Sequence, residues 1–127
     1  PAIFEMEQLE RQIDTGREGG VLTLTVTLKT QADQRRQAEL EEEASALLRE
    51  QCQAVLSVLQ AQQCDALGVG SSMYRHHPAL WRQVQERWPE TFSAYPMEVR
   101  VEIREMRWGR VWSAEELQEW EGADDGK

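Results

Sequence analysis

The stretch Asp65-Ala-Leu-Gly-Val-Gly-Ser-Ser-Met-Tyr-Arg-His-His-Pro-Ala-Leu-Trp-Arg-Gln-Val-Gln-Glu-Arg-Trp88 decides how this chain is put together. It follows a long run with helical spacing and precedes a run that alternates like a strand, so it must turn the backbone between two unlike elements. Gly68 and Gly70 bracket Val69 and allow backbone angles that would strain other residues. Ser71 or Ser72 caps a short turn through Met73 and Tyr74 in this reading. Pro78 suits the first turn of a second helix, expected from Ala79 to about Trp88 and stopped by Pro89. Leu80, Trp81, Val84 and Trp88 share one side of that helix and set their side chains against the core or the long helix.

Catalytic readings of the stretch do not hold. Gly68-Val-Gly-Ser71 lacks the Gly-Lys-Ser/Thr ending of a phosphate loop, and its strand-to-helix context is missing. His76 and His77 are adjacent on a turn and do not converge, and no Cys or Asp at ligand spacing joins them. Asp65, a histidine and Ser71 would make a hydrolase only around a nucleophile elbow, which is absent. No catalytic residue, cofactor site or metal site is therefore assigned. Asp65 reads as a capping or turn residue.

Upstream, Asp33 begins a helix expected to run to about Gln63. Leu40, Ala44, Leu47, Leu48, Cys52, Val55, Leu56 and Leu59 recur at three- and four-residue steps along one face, expected to pack on a sheet. Before it, Val21-Leu-Thr-Leu-Thr-Val-Thr-Leu-Lys29 alternates leucine or valine with threonine, the mark of a sheet with one wet face. Ala2 to Leu9 alternates more weakly, through Phe4 and Met6. Asp14 to Gly20 is a polar, glycine-rich connection, so the two strands read as an antiparallel hairpin.

Downstream, Glu90 to Pro96 reads as a linker. Met97-Glu-Val-Arg-Val-Glu-Ile-Arg104 then alternates strictly, and its opposite charges suit cross-strand pairing. Ser113-Ala-Glu-Glu116 matches a capping box and begins a short helix with Leu117 and Trp120. Gly122 to Lys127 is acidic and lacks large apolar residues. The expected fold is α+β: a small antiparallel sheet packed by one long helix and a short second helix, in the order β-β-α-α-β, with a short C-terminal helix. Residues 1–112 form the domain in this reading, and 113–127 are a short helix and an acidic disordered tail.

The 127 residues suffice for one domain, and the 40% apolar content fits a real core. Lys plus Arg is 14 and Asp plus Glu is 23, a net charge of −9 that argues against nucleic acid as a partner. No run approaches the roughly 20 apolar residues needed to span a bilayer. Pro1 opens the chain without an initiator Met, which suggests a fragment or a processed start. Cys52 and Cys64 on one helix would lie ~18 Å apart, beyond disulfide reach.

The ordered set Cys64 to Gly70, Met73-Tyr-Arg75, Pro78-Ala-Leu-Trp81, Trp88 and Phe92, ahead of an alternating strand, resembles the C-terminal domain of the Ger(x)C proteins. These are the C subunits of bacterial spore germinant receptors. The likeness extends to the preceding hairpin and long helix, roughly Phe4 to Arg110. Its signature residues here are Asp65, Gly68, Gly70, Tyr74, Pro78, Trp81, Trp88 and Phe92, in structural or interaction roles. The resemblance implies a non-enzymatic domain of a spore germination lipoprotein that acts through protein–protein contact in receptor assembly or signalling. Its implied partners are the receptor's integral-membrane subunits. Its implied place is the outer face of the spore inner membrane, held by a lipid anchor outside this fragment. The alternative is a small-molecule binding module with a pocket near Trp81 and Trp88.

Overall fold

Three strands form one sheet in the computed structural model, which describes residues 4–109. Strand β1 (Phe4–Thr15) and strand β2 (Gly20–Thr30) make the expected antiparallel hairpin. A 3-10 turn (Gln34–Arg36) leads into α1 (Gln37–Ala61), followed by α2 (Val69–His76), α3 (Pro78–Val84), a second 3-10 turn (Gln85–Arg87), α4 (Trp88–Ala94) and β3 (Met97–Trp108). The α+β class and the β-β-α-α-β order stand. The first strand is longer than its weak alternation indicated, because Glu10 to Thr15 also pair with β2.

The sheet is not wholly antiparallel. β2 is central and β3 runs parallel to it, from Gly20 opposite Met97 to Thr30 opposite Trp108. A parallel neighbour requires a long crossover, and the helices between β2 and β3 supply it. Leu22, Leu24, Val26 and Leu28 of β2 are all buried on the helix side. Thr27 is buried too, so the opposite face is drier than threonines alone suggest. Long side chains from the outer strands reach over it: Arg104 of β3 bonds Glu10 of β1 at 2.6 Å, and Arg107 bonds Glu7 at 2.9 Å.

Both outer strands carry a bulge at the same level. Pairing with β2 skips Glu7 in β1 and Arg104 in β3, on either side of Thr27. One extra residue reverses the side-chain phase, which is why Met106, rather than Glu105, turns inward and is 7% exposed.

The helical crossover differs from the single second helix expected. α2 is a helix in its own right. Pro89 opens α4 instead of closing α3, because the first turn of a helix has no use for the missing N–H. The presumed linker 90–96 is helical as far as Ala94. Asp33 caps the 3-10 turn that leads into α1, accepting the Arg35 amide at 2.9 Å, and α1 itself follows Arg36 without a side-chain cap. The far end of α1 closes with Gln63 left-handed (φ 56°), while the Cys64 amide donates to Leu59 O and the Gln63 amide to Gln60 O.

The core has two parts. Under α2 and α4 it is aromatic, with Trp88, Phe92 and Tyr95 against Leu22, Leu24, Leu56 and Val99. Under the first half of α1 it is aliphatic, with Leu40 and Ala44 against Val26, Leu28 and Met106. The short C-terminal helix and tail expected at 113–127 lie outside the described residues.

Candidate interaction site

Asp65 sits between α1 and α2 with its carboxylate aimed at the start of α2. Oδ1 accepts the amides of Gly68 (3.0 Å) and Val69 (2.8 Å); Oδ2 accepts the Gly70 amide (2.7 Å) and the indole N–H of Trp88 (2.9 Å). The amides at a helix start lack partners within the helix, and a negative charge there is favoured by the helix dipole. One carboxylate thus caps α2 and fixes a tryptophan on a helix two elements further on. Capping by Asp65, rather than by Ser71 or Ser72, is what lets α2 begin at Val69.

The two glycines have different reasons. Gly68 takes a left-handed backbone (φ 81°), which a side chain would strain. Gly70 is helical, and a Cβ there would lie 2.8 Å from Trp88 Nε1 and 2.9 Å from the Trp81 ring. The bare helix surface is the seat of both indoles. Trp81 meets Trp88 edge to face at 5.3 Å, and Trp88 lies tilted against Phe92 at 6.0 Å and edge-on to Tyr95 at 5.9 Å. Trp88 is 7% exposed and Phe92 is fully buried.

Six of the eight residues singled out in the sequence, Asp65, Gly68, Gly70, Trp81, Trp88 and Phe92, therefore form one packed unit. Two stand apart. Tyr74 is 62% exposed beside Arg75 and Trp81. Pro78 is exposed at the first turn of α3. The space beside the indoles is an open cleft of about 710 Å³ lined by Tyr74, Arg75, Trp81 and the edge of Asp65.

Three further side chains lock the unit to its surroundings, and the residue order alone does not reveal them. Gln60 of α1 donates both amide hydrogens to the end of α4, at Phe92 O (3.0 Å) and Tyr95 O (2.7 Å). The Tyr95 hydroxyl donates to Gly16 O (2.6 Å) and accepts the Gly16 amide (3.1 Å), which pins the hairpin turn. Burial pushes the Tyr95 phenol above its ordinary pKa. Ser72 Oγ donates to Ile13 O (3.0 Å), tying α2 to β1. His76 Nδ1 lies 3.0 Å from Ser72 O; a carbonyl only accepts, so this nitrogen carries the proton. Neither the serine nor the histidine is arranged for nucleophilic chemistry.

A second feature lies on the other flank. α1 is closest to β3, and α2 covers the last part of β1, but α1 offers β1 no comparable cover. An apolar groove remains between them. Its upper part, about 260 Å³, is lined by Phe4, Met6, Leu28, Leu47 and Leu48. Its lower part, about 300 Å³, is lined by Leu9, Leu22, Leu24, Cys52, Val55 and Leu67. Leu47 and Val55, expected to face the core, are 48% and 58% exposed, because the apolar stripe of α1 is wider than the sheet area beneath it. Leu9 is 52% exposed on the groove floor. Desolvation pushes the Cys52 thiol up, so it serves as apolar lining rather than as a nucleophile.

A family model described as "Spore germination B3/ GerAC like, C-terminal" matches residues 2–109, most of the chain. The chain belongs to this family. The family is the C-terminal domain of germinant-receptor C subunits, which ties the chain to spore germination. Among solved structures, this spore germination domain is similar in fold to one described as the crystal structure of the GerBC protein. The TM-score is 0.56 at 16% identity, over 82% of this chain and 41% of that one. The domain thus spans less than half the length of that protein. No curated protein matches it. Among the described residues, no helix is long and apolar enough to cross a membrane, and no group of three or more His, Cys, Asp or Glu side chains could hold a metal ion.

Proposed function

We propose that this domain is a non-enzymatic interaction module of a spore germination lipoprotein, a subunit of a nutrient germinant receptor. In this reading it contacts the receptor's integral-membrane subunits in assembly or signalling. A lipid anchor elsewhere in the parent protein holds it at the outer face of the spore inner membrane. In this reading the domain spans residues 1–112; Asp65, Gly68, Gly70, Trp81, Trp88 and Phe92 serve structure, and Tyr74 and Pro78 are open to contact.

The observation that carries the reading is the groove between α1 and β1. Large apolar side chains stand half exposed in a row along both its sides, where nothing among the described residues covers them. Contiguous apolar surface rimmed by polar groups marks a contact site. A small-molecule pocket beside Trp81 and Trp88 has less support. The indole N–H of Trp88 and both oxygens of Asp65 are engaged internally, which leaves an open cleft with few groups to orient a ligand.

The test is co-purification of the parent protein with its membrane subunits, together with nutrient-triggered germination. Leu9→Asp and Val55→Glu should abolish both while the protein accumulates normally. Unchanged co-purification and germination would refute the reading.

A further inference from the structure

The lower end of the groove changes character. Arg11 lies on the inner face of β1, opposite Leu24, in a row otherwise made of Phe4, Met6, Leu9 and Ile13. It lines the apolar groove and also a neighbouring polar cleft of about 380 Å³, together with Gln12, Ser71, Arg75 and His76. The two cavities share Leu67 as well, so the surface is continuous. Among the described residues neither Arg11 nor Arg75 makes an ion pair, whereas Arg100, Arg104 and Arg107 on the other face of the sheet are all paired.

Charge sharpens the point. Asp and Glu are 23 of the 127 residues, yet none lines the upper groove, the lower groove or the cleft. A chain with a net charge of −9 has thus kept one apolar track free of acids and ended it in two arginines and a histidine. Two guanidinium forks on a rim match carboxylates, which they bind in pairs of parallel hydrogen bonds.

Shape gives the occupant. From Phe4 to Ile13 the floor runs about 30 Å at the rise of a strand. Its wall is the exposed ridge Leu47, Gln51 and Val55, spaced at four-residue steps as one helix presents itself to another. A helix laid there would rest on the uncovered strand and beside α1, completing the helical layer over the sheet.

Resting on the reading of this domain as an interaction module, we infer that the groove between α1 and β1 docks an amphipathic helix of a partner protein, apolar along one face and carrying carboxylates at the end that meets Arg11 and Arg75. The apolar track supplies the affinity. The arginines supply the direction, since only one orientation brings the acids to them.

The experiment uses the full 127-residue chain and a displayed library of stapled helical peptides about 18 residues long, randomised on their surface. Selected peptides should carry apolar residues at three- and four-residue steps and Asp or Glu at one end. Their affinity should fall about tenfold or more with Val55→Glu, which places a charge inside the apolar contact. In the double variant Arg11→Glu with Arg75→Glu, replacing the terminal acids by lysine should restore binding, and the acidic peptides should lose about fivefold to tenfold. Leu9 and Val55 are more than half exposed, so substitution there leaves the fold intact, which circular dichroism verifies.

Failure to select any helix overturns the inference, as do peptides indifferent to the charge reversal or bound equally by the Val55→Glu chain. Two other occupants are also decided. Methyl contacts from Leu9 and Val55 to residues beyond Gly109 in the free chain would assign the groove to the chain's own C-terminal segment. A dimer in sedimentation that Leu9→Asp dissolves would assign it to a second copy. Either overturns the inference. Loss of subunit co-purification in Leu9→Asp without any acid preference in the peptides would sink the acidic helix and leave the interaction reading standing.

Discussion

The corner at Asp65 and the groove beside α1 lie on one sheet and treat their side chains in opposite ways. At the corner four donors meet one carboxylate, and Gln60, Ser72 and Tyr95 each close a long-range hydrogen bond. In the groove, apolar groups stand half exposed and two arginines have no acid beside them among the described residues. A corner so closed is built to hold, and a flank so open is built to receive. The difference teaches that, in this domain, Asp65, Gly70, Trp81, Trp88 and Phe92 belong to the scaffold, while the surface available for contact is made of ordinary leucines, valines and arginines.

The contrast is easiest to break at the corner. Trp88→Ala removes an indole from the centre of the aromatic core and should destabilise by about 3–5 kcal/mol. Chemical denaturation checks it, and a loss under one unit would mean the corner is not a core at all. Asp65→Asn keeps the shape but turns an amide NH₂ toward groups that all donate. It should cost about 3 kcal/mol and shift the Trp88 indole proton resonance.

At the groove the same measurement should return almost nothing. Leu9→Gln and Val55→Gln are expected to change stability by no more than about 0.5 kcal/mol, since both side chains are more than half exposed in the free domain. A large loss there would show that the groove is part of the fold.

The smallest effect belongs to the outer face of the sheet. The Arg104 guanidinium, by hydrogen bond and then by charge, holds the Glu10 carboxyl below its ordinary value of 4.5. A carboxylate with a lowered folded pKa adds stability above the unfolded value, and that contribution is lost as pH falls through the folded one. Titration followed by NMR should show Glu10 below 4.5 in the native chain and moving upward in Arg104→Ala. The pair is exposed, so its weight in overall stability is slight.

Much of this was legible in the residue order. The β2 alternation, the span of α1 and the Asp33 cap follow from local pattern, because burial on one side imposes a period. The bulges were not read, although Glu7-Gln8 and Arg104-Glu105 are polar pairs interrupting an alternation, each at the point where inward and outward exchange. The parallel placing of β3 was not legible, since alternation is the same in either direction. Pro89 was misread as a stop because proline at a helix start and proline after a helix end look alike without the backbone. Asp65 stood out, but its partners did not, because Trp88 comes to it only through the path of three short helices. The groove escaped notice for a different reason. Helical spacing shows that Leu47 and Val55 share a stripe with Leu56, yet only the position of α1 over β3 decides which of them the sheet covers.

The parallel pairing of β2 and β3 also bears on how the chain comes together in time. The β1–β2 hairpin needs only its own short turn and can close within microseconds. The other edge of β2 must wait until the whole helical crossover has been made and Met97 to Trp108 have arrived. At the roughly 5–20 residues per second of synthesis, that interval lasts seconds. Throughout it Leu22, Leu24, Val26 and Leu28 sit beside an unpaired strand edge, in the half-assembled condition most exposed to aggregation. Shortening the crossover that brings β3 to β2 is therefore expected to quicken folding more than any improvement to the hairpin.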